Sequence, residues 1–578
     1  MTRRSPHAAA WQAVRAVASG AARLSPRRVL VLGGLSLLVL RLAISAARTG
    51  PVVMADEAGY LLNARVLAGG MTAEMGSSPF YRGGYSLFIA PVVKLDADPI
   101  AAYHGVLAVN AALAACLVPL LYLLLTRCVD VAPRTAAWAA LAGAAYPSVT
   151  ALSQVAMSEN ALFPLTVAWL LCVGLLLRDR ALAAAPAWAA AAGLIAATLW
   201  IVHGRMVVAV GLTVIVLALG AIRGRRGRLA AAAGLAALAG GMLSGAVLND
   251  WLGARNYDGR GIGELRTVLA PLHDGDGVLA VLRNVVCQSW YLLTATLGVV
   301  LLLVAWIAPR ALARMRAGRG GPADGVLVLL LATTAGLVLV SSLWFASATR
   351  PDQLIYGRYT EPVVPALVAV GLAALARAGP PPRPGVLVAA LLTLTGAVVI
   401  LRAGFDVRGE ASRWNVAGLP SVTGSLSVPV LALAGIVTCV AMWLLSWVAR
   451  RHPAGLAPLA LVAFLPVTAY DVHLPVLRSE HDIYPPAWVS PMAAVEWRGA
   501  RAVGYDLDHF DHIRVKVYQW FLPRTRVVLF HGRAERAPVD VFFSARRLSG
   551  RLAREPADSL WSDRGADQAL WQRAPAHP

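Results

Sequence analysis

The sequence predicts an α-helical polytopic membrane protein that carries a small α/β domain at its C-terminal end. Hydrophobic residues make up 58% of the 578 residues and charged residues only 14%, with a mean hydropathy of +0.63. Soluble domains contain about 45–50% apolar and about 25% charged residues. The apolar residues also form blocks of about twenty, the length of a membrane-spanning helix. Short basic connections separate these blocks, as in proteins that cross the membrane many times.

The apolar blocks predict about thirteen transmembrane helices. They lie at 29–46, 101–125, 135–152, 159–177, 183–202, 206–222, 229–248, 286–308, 324–346, 362–377, 384–401, 427–448 and 455–470. When these spans alternate in direction, the basic connections, among them "RLSPRR", "RGRRGR" and "PRALARMRAGRG", all fall on one side. Lys and Arg are enriched in cytoplasmic loops. We therefore predict a multi-pass plasma-membrane protein with a cytoplasmic N-terminus and an exoplasmic C-terminal domain.

The same pattern divides the chain into three parts. We predict a basic cytoplasmic tail over 1–28, a transmembrane domain over 29–471 with an exoplasmic loop at 47–100, and an exoplasmic domain over 472–578. In the last part, "RAVGYDL", "TRVVLFH" and "VDVFFSA" predict strands and "DHIRVKVYQWF" predicts a helix. Strand–helix–strand order is typical of a small α/β fold. The first apolar block is too long for a signal peptide, so we expect no cleavable leader.

Charge and cysteine content exclude several classes of function. The formal net charge is +21, but Lys and Arg lie mainly in loops between spans, so we expect no nucleic-acid partner. The five cysteines lie in or beside apolar blocks without CxxC spacing, so neither a disulfide framework nor a zinc site is predicted. We expect that no cofactor is required. A divalent metal is compatible with the sequence, but no group of His, Asp and Glu has a spacing that supports one.

Two adjacent acids follow the first predicted span. Asp56 and Glu57 lie in "ADEAGYLLNARVLAGG", where a carboxylate at a partly dry boundary can act as a general base. Since helix neighbours point about 100° apart, the two side chains are not expected to face one small site. The structural alternative is a solvated loop or a helix N-terminus, whose dipole favours acids.

Further polar residues gather at the same predicted face. Arg82 and Tyr85 belong to "FYRGGYSLFIAP", which predicts an interfacial or re-entrant helix, with lipid headgroup contact as the alternative for Arg82. Glu159 in "MSENALFPL" begins a span, where the helix dipole by itself would favour an acid.

Two basic motifs lie at exoplasmic depth. His203 and Arg205 interrupt apolar sequence in "VHGRMVV", and Arg358 and Tyr359 lie in "YGRYTEPVVPAL" just before a span. Ordinary turns at the membrane surface are the alternative for both motifs. Polar groups at this depth are costly unless they face a cavity or a partner, and guanidinium groups suit phosphate. Together, the motifs predict a site for a lipid-linked phosphate.

In this order, the motifs resemble the GT-C class of integral-membrane glycosyltransferases. The likeness is greatest to the users of polyprenyl-phosphate sugars related to protein O-mannosyltransferases and lipid A aminoarabinose transferases, and it covers roughly residues 29–400. It implies that Asp56 is the catalytic base and that Glu57 is a supporting acid. It further implies substrate-binding positions, which in this sequence are Arg82, Glu159, Arg205, Arg358 and Tyr359. From the same motifs we also expect Tyr85 and His203 to bind substrate. The relatives often have Lys-Pro-Pro-Leu where this chain has "RGGYSL".

The predicted function is that of an inverting glycosyltransferase in cell-wall biogenesis. It would move a sugar from a polyprenyl-phosphate carrier to a hydroxyl of a glycan, lipid or protein acceptor on the exoplasmic face. Two other classes stay open: a transporter or flippase for lipid-linked sugars, and a non-catalytic membrane protein whose outer domain binds cell-wall polymer. Transporters usually place polar groups near the bilayer midplane, so polar residues gathered at one face favour the enzyme.

Overall fold

The computed structural model describes most of the chain, and all structural statements refer to this part. The described residues are 20, 23–52, 54–75, 79–96, 98–178, 184–222, 224–257, 268–347, 350–378, 393–400, 402, 413–419, 428–472, 499–510, 512–535, 537–550, 552–554, 557–563 and 568–573. Helices occupy the region up to Val472, and a five-stranded sheet follows from Ala502.

The helices and strands are numbered in chain order. The helices are α1 Pro26–Ser45, α2 Ala55–Leu67, α3 Gly84–Leu95, α4 Pro99–Ala115, α5 Leu117–Arg127, α6 Pro133–Ala144, α7 Pro147–Leu152, α8 Glu159–Arg178, α9 Ala185–Val202, α10 Val207–Ala221, α11 Arg225–Asn256, α12 Gly275–Ala295, α13 Val299–Leu302, α14 Ala308–Arg316, α15 Pro322–Trp344, α16 Pro351–Leu354, α17 Val364–Ala378, α18 Val428–Arg451, α19 Leu456–Val472 and α20 His512–Phe521. The strands are β1 Ala502–Asp506, β2 Arg526–Phe530, β3 Val541–Ala545, β4 Ala557–Asp563 and β5 Gln568–Arg573.

The transmembrane pattern agrees with the predicted fold class. Among the described residues, ten helices are long and apolar enough to cross a membrane, and a pair bent by 41°, Asp352–Tyr359 with Glu361–Arg377, makes an eleventh. The number is lower than the thirteen predicted. The predicted span 135–152 is two short helices, α6 and α7, because Pro147 interrupts the helical hydrogen bonding. Of the predicted span 384–401, residues 393–400 are helical and the rest lies outside the described residues.

The predicted continuous span 286–308 is wrong, because the chain breaks between α12 and α13. Leu297 and Gly298 there have positive φ angles of 51° and 78°, a backbone conformation that ends a right-handed helix. A Cβ on Gly298 would lie 2.1 Å from Cγ of Met442, so a side chain at this position would also collide with α18. After α13, a π-helical turn at Leu303–Ile307 leads into α14.

Capping side chains fix where two of the spans begin. Ser25 precedes α1 and accepts a hydrogen bond from the backbone N–H of Arg28 at 3.3 Å. Asp98 precedes α4 and accepts one from the N–H of Ala101 at 2.8 Å. Both helices start with proline, which has no N–H to leave unsatisfied at this position. The sequence therefore encodes both starting points locally.

The short helix α3 confirms the apolar helix expected after the "FYRGG" motif. Its twelve residues are too few to cross a membrane. A Cβ on Gly84 would lie 2.5 Å from the backbone nitrogen of Val202, so glycine lets the start of α3 touch the end of α9. This contact brings Arg82 next to the turn that holds His203 and Arg205.

The C-terminal sheet has the order β2-β1-β3-β5-β4. β1 lies parallel to both β2 and β3, and β5 runs antiparallel to β3 and β4. The predicted three strands and the helix α20 are therefore present, and the small α/β fold is confirmed. β4 and β5 are not predicted from the sequence, because their short runs carry several polar residues and lack a clear alternation.

Helix α20 attaches the sheet to the first loop of the membrane part. The N–H of Glu74 donates to the side-chain oxygen of Gln519 at 2.7 Å, and the Gln519 amide donates back to the Glu74 carbonyl at 2.9 Å. The indole N–H of Trp520 donates to the carbonyl of Pro99 at 3.1 Å. The buried Arg65 of α2 donates to the Gln519 carbonyl at the end of α20. These contacts hold the domain against both α2 and the start of α4.

Candidate active site

Helix ends assemble the predicted polar residues into one cluster. Asp56 lies in the first turn of α2, and Glu159 is the first residue of α8. Arg205 lies in the 3-10 turn between α9 and α10, and Arg358 lies in the turn at the bend before α17. At a helix end, the chain leaves the apolar span, so a polar side chain can lie outside the apolar segment. Polar side chains from four separate helix ends can therefore come together.

Glu159 lies between two arginines at the centre of the cluster. Its Oε1 accepts from Nη2 of Arg205 at 2.8 Å and from Nε of Arg358 at 3.0 Å. Its side chain is 0% exposed, as is that of Arg205, and that of Arg358 is 4% exposed. A buried charge needs opposite charges and hydrogen bonds to be tolerated. Glu159 therefore keeps both guanidinium groups in place.

Asp56 adds a second carboxylate at the accessible edge of the cluster. Its Oδ2 accepts from Nη2 of Arg358 at 2.5 Å, so Arg358 bridges Asp56 and Glu159. The Asp56 side chain is 27% exposed, far more than the other members of this network. Burial, followed by the charge of Asp56, raises the pKa of the Tyr81 phenol well above its usual value. Asp56 is thus the acid that a molecule from outside can reach.

Arg205 has hydrogen-bonding capacity beyond its contact with Glu159. Its Nε and Nη1 are buried and make no hydrogen bond within the described part of the chain. Its guanidinium lies 4.7 Å from the centre of the Tyr359 ring, a cation–π distance. Unsatisfied N–H groups on a buried cation are costly, so an anionic ligand at this position would be stabilised.

His203 and Arg82 form one side of the cluster. The His203 ring lies 5.4 Å from the Tyr359 ring, and its Nδ1 accepts from the N–H of Arg205 at 3.3 Å. Desolvation, with Arg205 nearby, lowers the pKa of His203 well below its usual value, so the imidazole is neutral at pH 7. Arg82 is buried, with its guanidinium 4.3 Å from the centre of the Trp200 ring.

The structure places Glu57 and Tyr85 away from this cluster. The buried Glu57 carboxylate accepts from the N–H groups of Val52 and Ala156 at 2.6 and 2.7 Å and from the Tyr103 hydroxyl at 2.8 Å. Burial raises the pKa of Glu57. Its contacts therefore anchor the start of α2, whereas the family resemblance implies a supporting catalytic role for Glu57. The Tyr85 hydroxyl donates to Asn110 at 2.7 Å in the core, where it does not face the cluster.

Asn415 belongs to the cluster but was not found from the sequence. Its Oδ1 accepts from Nη1 of Arg358 at 3.3 Å, and its Nδ2 donates to Asp352 at 2.6 Å. Asp352 in turn accepts from Arg350. Asn415 lies in the 3-10 turn Arg413–Val416, and no motif marks it in the sequence. Only its place in the fold reveals that it holds Arg358 from a third side.

The part of the chain that the structure describes contains no group of three His, Cys, Asp or Glu side chains able to hold a metal ion. What the cluster offers instead is a pair of guanidinium groups next to a partly exposed carboxylate. Guanidinium groups bind phosphate through charge-assisted hydrogen bonds, and a carboxylate can accept a proton.

The fold is shared with the solved structures of one protein, ArnT. ArnT from Cupriavidus metallidurans, bound to undecaprenyl phosphate, matches over 94% of this chain and 97% of its own, with a TM-score of 0.54 and 15% identity. Its apo structure matches over 95% and 98%, with the same score and identity. The Archaeoglobus fulgidus oligosaccharyltransferase aligns over 89% of this chain and 70% of its own, but its TM-score of 0.44, at 13% identity, is too low to support a shared fold. Neither a protein-family model nor a curated protein matches the sequence.

At 15% identity, the match to ArnT is evidence of fold, and it covers nearly the whole of both chains. The helical membrane part and the C-terminal sheet are therefore both included in the common architecture. The resemblance seen in the sequence motifs is confirmed at the level of fold: the chain has the fold of ArnT.

Proposed function

We propose that this protein is a glycosyltransferase that moves a sugar from a polyprenyl-phosphate carrier to an acceptor hydroxyl on the exoplasmic face. The observation that carries the proposal is the position of Arg358, which contacts both Asp56 and Glu159. Arg358 belongs to the buried guanidinium pair and also contacts the accessible carboxylate of Asp56. A phosphate-binding group and a base, the two functions that such a transfer needs, therefore lie side by side. The ArnT structure of the same fold was solved with undecaprenyl phosphate, which supports a polyprenyl-phosphate carrier.

In the proposed reaction, the acceptor oxygen attacks the anomeric carbon while the bond from this carbon to the phosphate oxygen breaks. Asp56 takes the proton of the acceptor hydroxyl, and the polyprenyl phosphate leaves with the bonding electrons. Because this is a single displacement, the configuration at the anomeric carbon inverts. Arg205 and Arg358 stabilise the negative charge that develops on the departing phosphate. Arg82, on the His203 side of the cluster, adds a further positive charge.

The contact between Asp56 and Arg358 couples donor binding to catalysis in this proposal. A phosphate oxygen that accepts from Nη2 of Arg358 would compete with Asp56 for the same N–H group. Asp56 would then be free to accept a hydrogen bond from the hydroxyl group of the acceptor. Glu159 and Asn415 keep the rest of the Arg358 guanidinium fixed during this exchange.

A direct assay separates the enzyme from its two alternatives. The purified protein is incubated with a panel of radiolabelled polyprenyl-phosphate sugars, and acceptor-dependent transfer of label is measured with a membrane fraction as the acceptor source. The proposal predicts transfer from at least one donor. Binding or translocation of every donor without transfer would favour a transporter, and binding of polymer alone would favour a cell-wall-binding protein.

Metal dependence is tested in the same assay with EDTA. We expect activity to persist in EDTA, because the arginine cluster can itself supply the electrostatic stabilisation. Complete loss of transfer in EDTA that one divalent ion restores would contradict this expectation. A chelator of similar charge already saturated with calcium serves as the control for non-specific effects.

A further inference from the structure

A buried tyrosine near the end of α12 contacts the turn that carries Arg358. Tyr291 is 0% exposed, and the proposed reaction gives it no role. Its ring packs against Gly357, the residue before Arg358, so closely that a Cβ on Gly357 would overlap the ring atoms. Glycine at this position therefore brings the backbone of the Arg358 turn into direct contact with Tyr291.

The hydroxyl of the same tyrosine binds a second turn. The backbone N–H of Gly418 donates to the Tyr291 hydroxyl oxygen at 2.9 Å. Gly418 lies two residues after the 3-10 turn Arg413–Val416, which carries Asn415. A Cβ on Gly418 would lie 2.9 Å from this hydroxyl, so glycine is needed for the close approach here as well. Tyr291 thus joins the turn of Arg358 to the turn of Asn415.

Glu361 fixes the direction of the Tyr291 hydroxyl. Its Oε1 accepts from this hydroxyl at 2.6 Å, and its Oε2 accepts from the Ser148 hydroxyl at 2.5 Å. Both Glu361 and Ser148 are 0% exposed. Because the Tyr291 proton points to Glu361, a lone pair of the same oxygen is left for the N–H of Gly418. A buried polar group that loses its partner is costly, so this chain of hydrogen bonds holds one arrangement.

The two turns meet at the Arg358 guanidinium. Asn415 accepts from its Nη1 at 3.3 Å, while Glu159 and Asp56 accept from Nε and Nη2. In the proposed reaction, the donor phosphate takes the place of Asp56 at Nη2. Glu159 and Asn415 then keep the guanidinium in place, and Tyr291 sets the position of Asn415 relative to the Arg358 backbone.

We propose that Tyr291 is a positioning residue for the donor phosphate site: it holds the turn of Asn415 against the turn of Arg358, and Glu361 keeps its hydroxyl in the required direction. The proposal rests on the glycosyltransferase function proposed above and deepens it, because it names the residue that orders the donor site. Tyr291 touches neither substrate. Its effect is greatest when Asp56 no longer binds Arg358.

The variant Tyr291→Phe tests the proposal, because it keeps the ring against Gly357 and removes both hydrogen bonds of the hydroxyl. The control is Thr294→Val, which removes another buried hydroxyl of α12, one that donates only to carbonyl oxygens of the same helix. We expect Tyr291→Phe to raise the donor KM about 10-fold, the effect of losing one hydrogen bond to a charged group. The acceptor KM should stay unchanged, and the control should equal the wild type in both constants.

A purely structural role gives a different result. Loss of folded protein lowers kcat in proportion and leaves both KM values unchanged. That result for Tyr291→Phe, or an equal rise in donor KM in Thr294→Val, would overturn the positioning role.

A double-mutant cycle with Asn415→Ala tests the route from Tyr291 to Arg358. If Tyr291 acts through Asn415, the double variant should have about the same donor KM as Asn415→Ala alone. Independent effects would multiply to about 100-fold, and this outcome would show that Tyr291 does not act through Asn415.

Glu361 is tested by rescue with a conservative variant. In Glu361→Gln, the side-chain oxygen can still accept from Tyr291, and the amide can donate to the Ser148 hydroxyl. Its donor KM should therefore stay near the wild-type value, whereas Glu361→Ala should reproduce the rise seen in Tyr291→Phe. Equal donor KM values for the two Glu361 variants would contradict the orienting role of Glu361.

Binding of undecaprenyl phosphate distinguishes failure of this proposal from failure of the proposed function. It is measured for the full chain in phosphatidylcholine nanodiscs by native mass spectrometry, without any transfer reaction. Tyr291→Phe should bind undecaprenyl phosphate about 10-fold more weakly than the wild type and than Thr294→Val. No binding by the wild type would count against the glycosyltransferase function itself. Equal binding by all three proteins would count against the role of Tyr291 alone.

Discussion

At the scale of single residues, Glu159 determines whether the arginine pair can exist inside the protein. Arg205 and Arg358 approach each other because the same carboxylate oxygen accepts from both. Asp56 and Asn415 also bind Arg358, whereas the Arg205 guanidinium has no hydrogen-bond partner other than Glu159 in the described residues. Removing the charge of Glu159 would therefore leave Arg205 as an unpaired buried cation.

We predict that Glu159→Gln destabilises the protein by about 3–5 kcal/mol, the usual cost of removing one partner from a buried ion pair. Unfolding of the purified protein in detergent measures the effect. Asp130→Asn is the matched control, since Asp130 forms an ion pair with Arg178 in which both side chains are about half exposed. Such a pair contributes at most about 1 kcal/mol. A Glu159 variant as stable as the control would contradict the role assigned to Glu159.

The sequence showed the residues of the cluster that interrupt apolar segments. Asp56, Glu159, Arg205 and Arg358 stand out because a charge at the end of a span is costly without a partner. Which of two adjacent acids faces the cluster depends on the rotation of α2, so Glu57 could not be told apart from Asp56. Asn415 is an uncharged residue of the 3-10 turn Arg413–Val416, and no motif beside it distinguishes it in the sequence.

At the scale of elements, the break between α12 and α13 is the clearest departure from the predicted spans. Hydropathy is high on both sides of the break and no proline marks it, so the sequence predicts one continuous helix there. The break follows from the positive φ angles of Leu297 and Gly298 and from the close approach of Met442. The caps Ser25 and Asp98 are local by contrast, because each accepts from a backbone N–H three residues further along the chain.

We predict that Gly298→Ala destabilises the protein, because alanine in a left-handed conformation costs about 1–2 kcal/mol and its Cβ would also collide with Met442. Gly240→Ala in α11 is the control. A Cβ on Gly240 meets nothing within 4 Å, so alanine there should be neutral or stabilise by about 0.5–1 kcal/mol. Thermal unfolding of both variants in the same detergent tests the difference. Equal stability of the two would show that the break does not depend on Gly298.

At the scale of the whole molecule, the proposed function requires that the arginine–carboxylate cluster around Glu159 and the C-terminal domain lie on the same side of the membrane. Arg65, Gln519 and Trp520 join the domain to the first loop, and Asp56 lies on the same helix as Arg65. The fold class and the small α/β domain could be predicted from composition and strand patterns. The contact between the two parts could not, because it depends on hydrogen bonds to backbone groups, which have no signature in the sequence.

We predict that single cysteines at Thr72, Asp274 and Arg524 react with a membrane-impermeant maleimide in intact cells, whereas cysteines at Arg226 and Arg319 react only after lysis. All five positions are exposed, and the native cysteines are replaced to remove background. The basic connections at Arg226 and Arg319 are expected in the cytoplasm. Labelling of both groups from the same side would contradict the proposed orientation.

The most direct measurement is the rate of sugar transfer by Asp56→Asn relative to the wild type, with Asp130→Asn as the control. We predict that Asp56→Asn lowers kcat by about 10²–10⁴-fold, the usual contribution of a general base, and that the protein stays folded and still binds undecaprenyl phosphate. The control should transfer sugar at the wild-type rate. Transfer by Asp56→Asn at the wild-type rate would contradict the role of Asp56 as the base and, with it, the proposed active site.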